Sequence, residues 1–259
     1  TGVTFSRLAV LTGAAEAIIH KEYHLCSADP KTVGLDKVRV IGRTNYDVAD
    51  QLSNMGMEAI HPRAAKGLRQ AEIPLRVRNA FRPDEPGTLI LSDRGAPEPR
   101  VDMIAGLKGV FSLQFFEQDM VGVKGHDQAI LEVLQQYNIR IVTKTCNANT
   151  ITHYLDCSMN ALRKVERQLS ERFPAAEVEI QRVSMISVIG RKLPDYPFTF
   201  KALAALNEAG ITPLGMHDLA RRIDLQFVID DKDYEKALCA LHAALVEEDG
   251  ASNAMAHND

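Results

Sequence analysis

The second half of the chain repeats its own residue pattern, and this repeat limits the possible folds more than any other feature. When the sequence is shifted by about 72 residues, similar residues coincide at five places. The coinciding pairs are Ser112 with Ser184, Phe116 with Val188, Leu131 with Leu203, Leu134 with Leu206, and Ile139 with Ile211. Each copy is patterned as strand, loop, helix, short strand, strand, helix. We therefore expect two related α/β (α+β) units, although chance similarity between amphipathic helices is the alternative explanation.

The two copies differ in how they end. A further apolar strand, Val178–Val183, completes the first copy as a ferredoxin-like βαββαβ unit. The second copy has no such strand, because the chain is polar after Glu248. Folded proteins avoid an open sheet edge, and the apolar segment Val101–Leu107 could close it. We predict that residues 96–111 and 184–249 form one discontinuous unit, that 112–183 are inserted into it, and that 250–259 are a polar tail.

The predicted elements of the two copies follow the same order. In the first copy they are Phe111–Phe116, Gln128–Tyr137, Arg140–Lys144, Ile151–Leu155 and Asn160–Arg172. In the second copy they are Met185–Ile189, Phe200–Ala209, Thr212–Met216, Leu225–Ile229 and Tyr234–Glu247. Each copy thus supplies enough strands and helices for a small two-layer unit.

The first third of the chain alternates between helix and strand patterns and is predicted to be a separate domain over residues 1–95. The expected helices are Val3–Leu11, Asn45–Met57 and Pro62–Gln70, and the expected strands lie within Glu16–Tyr23, Ile73–Phe81 and Thr88–Leu91. Ser92–Pro99 combines glycine, proline and charge, which is typical of a linker. We place the domain boundary in this segment.

Composition excludes several classes of protein. With 46% hydrophobic and 25% charged residues, the 259-residue chain is typical of a soluble globular protein and not of a disordered or collagen-like one. A net charge of −4 disfavours nucleic acid as a partner, and no stretch is apolar enough to span a membrane. Four cysteines without a CxxC pair indicate free thiols in a reducing cytoplasm and no metal site. Because the sequence begins at Thr1 without a methionine or a signal peptide, we expect that other residues precede it.

Four ordered stretches resemble aspartate kinases, specifically their C-terminal part. Ser27–Lys31 (SADPK) resembles the end of the nucleotide loop of that family, T-A-D-P-R. Gly56–Arg63 resembles G-x-K-V-L-H-P-R, and Ile73–Phe81 resembles I-P-[VI]-x-V-x-N-T-F. Pro86–Ile90 resembles the P-G-T-x-I that follows. The resemblance implies the end of an amino-acid-kinase α/β domain, followed by two ACT units, the first inserted into the second.

The implied activity is transfer of a phosphoryl group from ATP, with Mg²⁺, to L-aspartate, which gives 4-phospho-L-aspartate in aspartate-family amino-acid biosynthesis. The Lys-Phe-Gly-Gly segment and the glycine-rich loop of the family are absent from these residues. Phosphoryl transfer needs cations and backbone amides directed at the phosphates. We therefore expect this fragment to be inactive alone and to bind no cofactor. The loop sequence HKEYH resembles a divergent branch associated with ectoine-producing bacteria.

The resemblance assigns five residues to the nucleotide site. His20 and Lys21 occupy a usual Thr-Asp pair, Cys26 a usual tyrosine, and Lys31 a usual arginine. Glu58 stands where most members have a nucleotide-contacting lysine. Lys31 keeps a positive charge for a phosphate, but as a point charge and not a bidentate fork. The alternative interpretation is that these residues are ordinary polar side chains that face solvent in a loop after a strand.

The resemblance also implies an amino-acid effector site between ACT units. Its loop begins at Met120, and Gly125 matches a glycine that lets backbone amides approach a carboxylate. Val142 replaces the aspartate that holds the ammonium of the effector, so we expect weak or no lysine binding. Asp127 could replace that aspartate, although a helix N-cap is its simpler role. Asn147 lies at the rim of the site, where a turn residue is the alternative.

The sequence leaves two function classes open. The first is an aspartate kinase represented by a fragment that carries the regulatory region, with ATP and L-aspartate as substrates of the full-length enzyme. The second is a stand-alone ACT chain that binds an amino acid or forms a dimer without catalysis. Either class is expected to be a homodimer through the ACT units.

Overall fold

The computed structural model describes residues 2–56, 61–92, 99–191, 193, 197–218 and 223–247. The predicted site residue Glu58, most of the predicted linker and the predicted polar tail lie outside the described residues. The chain forms two compact units: unit 1 comprises the residues up to Gly106 and those from Ile186 onward, and unit 2 comprises Leu107–Met185.

Eight helices and ten strands are described, in an order that alternates for most of the chain. The helices are α1 (Gly2–Thr12), α2 (Pro30–Val33), α3 (Tyr46–Asn54), α4 (Pro62–Gln70), α5 (His126–Gln136), α6 (Met159–Arg172), α7 (Phe198–Glu208) and α8 (Tyr234–His242). The strands are β1 (Ala17–Lys21), β2 (Arg43–Asn45), β3 (Leu75–Asn79), β4 (Thr88–Leu91), β5 (Arg100–Phe116), β6 (Arg140–Cys146), β7 (Thr150–Asp156), β8 (Glu177–Arg191), β9 (Gly215–Asp218) and β10 (Asp224–Asp230). None of the described helices has the length and apolar character needed to cross a membrane.

A four-stranded sheet forms the N-terminal part of unit 1, in the order β1-β3-β4-β2. Strand β1 runs parallel to β3, and β3 runs antiparallel to β4. Leu75 and Val77 of β3 are buried, whereas Arg76 and Arg78 between them are partly exposed, as expected for a strand with one covered face. The buried residues pack with Ala9 of α1 and with α4 in a hydrophobic core.

A six-stranded sheet has the order β6-β7-β5-β8-β10-β9. The sequence predicted separate strands at Val101–Leu107 and Phe111–Phe116, but these segments form the single 17-residue strand β5. Similarly, the predicted strands Val178–Val183 and Met185–Ile189 are parts of the 15-residue strand β8. Strands β5 and β8 therefore each contain residues of both predicted copies.

Unit 2 contains the order β5-α5-β6-β7-α6-β8, which is βαββαβ. Helices α5 and α6 bury Ile130, Leu134 and Leu162 against one face of the strands. The predicted fold class, α/β with ferredoxin-like ACT units, is confirmed. The inserted unit predicted at 112–183 remains a prediction about boundaries, and the second compact unit spans Leu107–Met185.

The C-terminal part of unit 1 has a core that includes residues from the N-terminal part, which the sequence did not indicate. Helices α7 and α8 pack on β10, with Phe198, Phe227 and Leu241 buried. Ala28 and Val33, which come from the loop after β1 and from α2, are buried in the same core. The segment that resembles a nucleotide loop is thus built into the hydrophobic core of the C-terminal elements.

Candidate functional site

Two of the predicted nucleotide-site residues stand at the carboxyl end of β1. His20 is exposed and Lys21 is partly buried, and both pair in register with the parallel strand β3. The backbone oxygen of Lys21 accepts a hydrogen bond from the amide of Ala80 at 2.8 Å. In α/β sheets, ligands bind beyond the carboxyl ends of parallel strands, so these residues stand at the edge where a ligand is expected.

Cys26 lies deeper in the loop than the resemblance implies. It is 9% exposed and forms an isolated antiparallel bridge with Val40. Hydrogen bonds from Ser27 N to Arg39 O and from Ile41 N to Leu25 O, both 2.8 Å, flank this bridge. Burial raises the pKa of the Cys26 thiol. The Cys26 side chain therefore has little surface to offer a nucleotide.

The segment Ser27–Lys31, called the SADPK segment below, ends in a capped helical turn. Asp29 is the N-cap of α2, and its carboxylate accepts a hydrogen bond from the amide of Lys31 at 3.0 Å. Pro30 occupies the first helical position, where its missing N–H costs nothing. The Lys31 side chain is exposed at this turn. The sequence Asp-Pro thus fixes the turn and presents a cation to solvent.

A buried chain of three polar side chains fastens the SADPK segment. The Ser27 hydroxyl lies 2.8 Å from Nε2 of His242, the last residue of α8. Nδ1 of the same ring lies 3.0 Å from the Glu247 carboxylate. Sequence reasoning missed this contact, because Ser27 and His242 are 215 residues apart and the motif around Ser27 does not point to a distant histidine.

The predicted effector loop precedes α5 in unit 2. Met120 is buried at the end of a 3₁₀ turn, Gln118–Met120, and Gly125 adopts a φ of 105° as the N-cap of α5. Asp127 lies in the first turn of α5, and its Oδ2 is 2.6 Å from the Lys144 Nζ. The N-cap role expected for Asp127 is wrong, because Gly125 takes that position and the Asp127 carboxylate pairs with Lys144.

His153 of β7 is a residue of this region that sequence reasoning missed. It is fully buried, with Nε2 3.8 Å from Oδ1 of Asp127. Burial lowers the His153 pKa to about 4, although the nearby carboxylate of Asp127 opposes the shift. Neither ring nitrogen of His153 has a hydrogen-bond partner among the described residues, and Oδ1 of Asp127 has none there either. The alternation Ile151, His153, Leu155 could have indicated a core-facing histidine.

Other polar groups border the same helix end. His126 Nε2 lies 3.1 Å from the Glu117 carboxylate, and the His126 ring is tilted against Phe115 and Phe173, with ring centres 6.0 and 5.2 Å away. The structure thus brings Glu117, His126, Asp127 and His153 to the N-terminal end of α5 within unit 2. Such an arrangement can offer backbone amides to a carboxylate and a carboxylate to an ammonium.

Val142 and Asn147 take simple structural roles. Val142 is 8% exposed and lies at an irregularity in the pairing of β6 with β7. The Asn147 side chain accepts hydrogen bonds from the amides of Asn149 and Thr150, at 3.2 and 3.0 Å, in the turn between these strands. Asn147 therefore stabilises the hairpin turn.

Known proteins are similar to this chain over nearly its whole length. A model of the amino acid kinase family matches residues 3–79. Aspartate kinase Ask_Ect of Stutzerimonas stutzeri is 48% identical over 254 residues, which make up 98% of this chain and 53% of that protein. The predicted resemblance to the C-terminal part of aspartate kinases is confirmed. The name of this relative agrees with the ectoine-associated branch predicted from the loop sequence.

Solved structures agree in fold. Clostridium acetobutylicum aspartate kinase superposes with a TM-score of 0.86 at 21% identity, over 94% of this chain and 57% of that one. Escherichia coli aspartokinase III in complex with lysine and aspartate has a TM-score of 0.78 at 18% identity, over 95% of this chain and 55% of that one. The same E. coli enzyme in complex with aspartate and ADP has a TM-score of 0.80 at 19% identity, over 94% of this chain and 55% of that one. The chain spans about half the length of these relatives.

Proposed function

We propose that this chain is the regulatory half, with the end of the catalytic domain, of an aspartate kinase that phosphorylates L-aspartate with MgATP. The observation that carries the proposal is the 48% identity to an aspartate kinase over 98% of the chain. The E. coli relative with aspartate and ADP supports the same substrates. The enzyme is expected to work in the cytoplasm, where free thiols are kept reduced.

In this proposal the chain supplies only one side of the nucleotide site. The exposed Lys31 ammonium provides positive charge for phosphate oxygens, and His20 and Lys21 border the same strand end. No group of three or more His, Cys, Asp or Glu that could hold a metal occurs among the described residues. In this proposal Mg²⁺ enters as part of the MgATP substrate, and the full-length kinase supplies the further phosphate contacts.

An ADP-release assay with L-aspartate tests the proposed activity. The chain alone should release no ADP. A chimera in which the chain replaces the matching part of the Stutzerimonas kinase should release ADP in an aspartate-dependent manner. A chimera that is folded by circular dichroism but inactive, beside an active parent kinase, would contradict the proposal. That outcome would favour the second candidate, a stand-alone ACT chain that binds an amino acid without catalysis.

We infer that the N-terminal end of α5 in unit 2 is the regulatory amino-acid site. Gly125 leaves the α5 amides open to a carboxylate. Oδ1 of Asp127, which has no hydrogen-bond partner within the described part of the chain, faces the buried His153 nearby. Val142, however, offers no acceptor for the lysine ammonium. The E. coli relative binds lysine, so the two proteins are expected to differ in effector.

Titration calorimetry with lysine tests this difference. The chain should show weak or no lysine binding, and Val142→Asp should increase the affinity because it restores an acceptor for the ammonium. Val142→Thr, which has nearly the same volume but no charge, is the matched control and should not increase it. Micromolar lysine affinity of the unchanged chain would contradict the prediction.

A further inference from the structure

The chain of Ser27, His242 and Glu247, called the relay below, lies in unit 1, with two buried members and a partly exposed carboxylate at its end, since the Glu247 side chain is 34% exposed. Ser27 is 1% exposed and His242 is 0% exposed. A buried polar side chain is costly unless it is hydrogen-bonded, and here each member has a partner. The Ser27 hydroxyl also accepts a hydrogen bond from the Arg39 amide at 2.9 Å.

One assignment of donors and acceptors satisfies all three groups. With the ring proton on Nδ1, His242 donates to the Glu247 carboxylate. Nε2 then accepts the hydrogen bond that the Ser27 hydroxyl donates. The oxygen of Ser27 remains available for the Arg39 amide. Both ring nitrogens of His242 and the Ser27 hydroxyl are thus hydrogen-bonded in one consistent arrangement.

The relay has the order of a Ser-His-acid triad but cannot act as a nucleophile. Such a triad needs the serine oxygen to reach a substrate carbonyl. Ser27 is buried, and its hydroxyl is already hydrogen-bonded to the Arg39 amide and to the His242 ring. We therefore expect the relay to affect the conformation of the chain.

A change of helix type brings Glu247 to His242. The segment Ala243–Glu247 that follows α8 is a π-helix, in which residues five apart are neighbours. An α-helix would place residue 246 near this position instead, and Val246 could not accept the proton of Nδ1. Single π-turns occur frequently at functional sites.

Further contacts tie the same segment, and the residues of α2 that follow it, to α8. Ala28 and Val33 are buried in one core with Leu238 and Leu241 of that helix. The Cys239 thiol lies 3.6 Å from the backbone oxygen of Thr32. The position of the SADPK segment is therefore defined by α8, and the relay is its polar, directional attachment.

We propose that His242 is a positioning residue for the nucleotide loop. Its hydrogen bond with Ser27 couples the position of the C-terminal helix α8 to the conformation of the segment that carries Lys31. This role rests on the proposed kinase function, since only then does the segment meet a nucleotide. A movement of α8 shifts Ser27 and, with it, the turn that presents Lys31.

Amide hydrogen exchange on this chain tests the relay itself. Ser27→Ala removes the acceptor of the Arg39 amide and the donor to His242, so exchange at Arg39 should accelerate about tenfold, as expected for one lost hydrogen bond. Ser27→Thr keeps the hydroxyl and is the matched control, with nearly unchanged exchange. Equal exchange at Arg39 in wild type, Ser27→Ala and Ser27→Thr would overturn the relay, whatever the activity of the protein.

Steady-state kinetics on the active chimera test the positioning role. His242→Phe should raise the KM for ATP about tenfold while kcat and the KM for aspartate change less than about twofold, because the nucleotide contact alone is misplaced. His242→Gln, whose amide can still meet Ser27, should recover most of the ATP affinity. Equal loss of kcat and of both affinities would indicate a merely structural role and overturn the proposal. An inactive wild-type chimera would refute the proposed function instead. The exchange data would then still show whether the hydrogen bonds of the relay exist.

Discussion

Two buried ionisable residues make stability depend on pH in opposite directions. His153 is fully buried in unit 2, and burial lowers its pKa to about 4. Asp224 is 1% exposed in unit 1, and burial raises its pKa to about 7 although the Gln226 amide donates to its carboxylate at 2.8 Å. Ser187 also bonds to Asp224. A pKa shift is a difference in proton binding between the folded and unfolded states. Each residue therefore makes its own contribution to the pH dependence of the free energy of unfolding.

His153→Leu should remove a loss of stability at acidic pH. The unfolded chain binds a proton at His153 below its ordinary pKa of 6.5, while the folded chain does not do so until about 4. The free energy of unfolding of wild type should therefore fall by about 3 kcal/mol from this residue as the pH drops across that range. Urea titrations at several pH values, followed by circular dichroism, measure the difference. His20→Gln, at an exposed site, is the control and should keep the wild-type slope.

Asp224→Asn should stabilise the protein most at high pH. The folded state keeps the Asp224 proton up to about pH 7, while the unfolded state releases it above its ordinary pKa of 3.8. Stability from this residue is therefore complete at low pH and is lost as the pH rises towards 7, by up to about 4 kcal/mol. The same titrations should show the advantage of the variant growing between pH 4 and pH 8. Asp119→Asn, in an exposed turn, is the control. If the gain in the free energy of unfolding from Asp224→Asn stayed constant with pH, this account would be contradicted.

At the scale of elements, the turn before β4 depends on a glycine. Gly87 has a φ of 70°, and a Cβ added there would lie 2.2 Å from the backbone oxygen of Val77. Gly13 has a similar φ of 59°, but a Cβ added there meets nothing within 4 Å. Gly87→Ala should lower the free energy of unfolding by about 3 kcal/mol or more, since both strain and a backbone clash are involved. Gly13→Ala should lower the free energy of unfolding by about 1 kcal/mol, from the strain of the positive φ alone. Equal losses in thermal or urea unfolding would contradict the clash.

Local patterns predicted the regular elements better than the connections between them. The predicted strand Thr88–Leu91 and helix Pro62–Gln70 agree with β4 and α4, because alternation and an N-terminal proline act within a few residues. The union of two predicted strands in β5 was missed, since strand continuity depends on pairing with distant partners. The candidate site also combines features that local sequence can predict with features that it cannot. The Asp29 cap depends only on neighbouring residues, whereas the contact of Ser27 with His242 depends on the complete fold.

For the whole molecule, we predict a homodimer. Strand β9 is at the end of the six-stranded sheet order, and Met216 on it is 44% exposed. A sheet edge that is partly apolar, and that pairs with no further strand among the residues described, favours pairing with a second copy. Sedimentation should therefore give twice the monomer mass of 28.6 kDa. Met216→Lys should weaken the dimer, because the dimer interface would have to bury a charge. Met159→Lys, on α6 with a similar exposure of 41%, should leave it unchanged. A monomer at every protein concentration would contradict the prediction.

The burial of Ala28 and Val33 among residues of α7, α8 and β10 has a consequence for dividing this protein. Cleavage between residues 92 and 99 would leave an N-terminal piece with an exposed apolar loop and a C-terminal piece with a matching cavity. The two pieces would not be autonomous modules. Expressed together, they would behave as complementing fragments that reassociate without a covalent link, and expressed apart, each would be prone to aggregate.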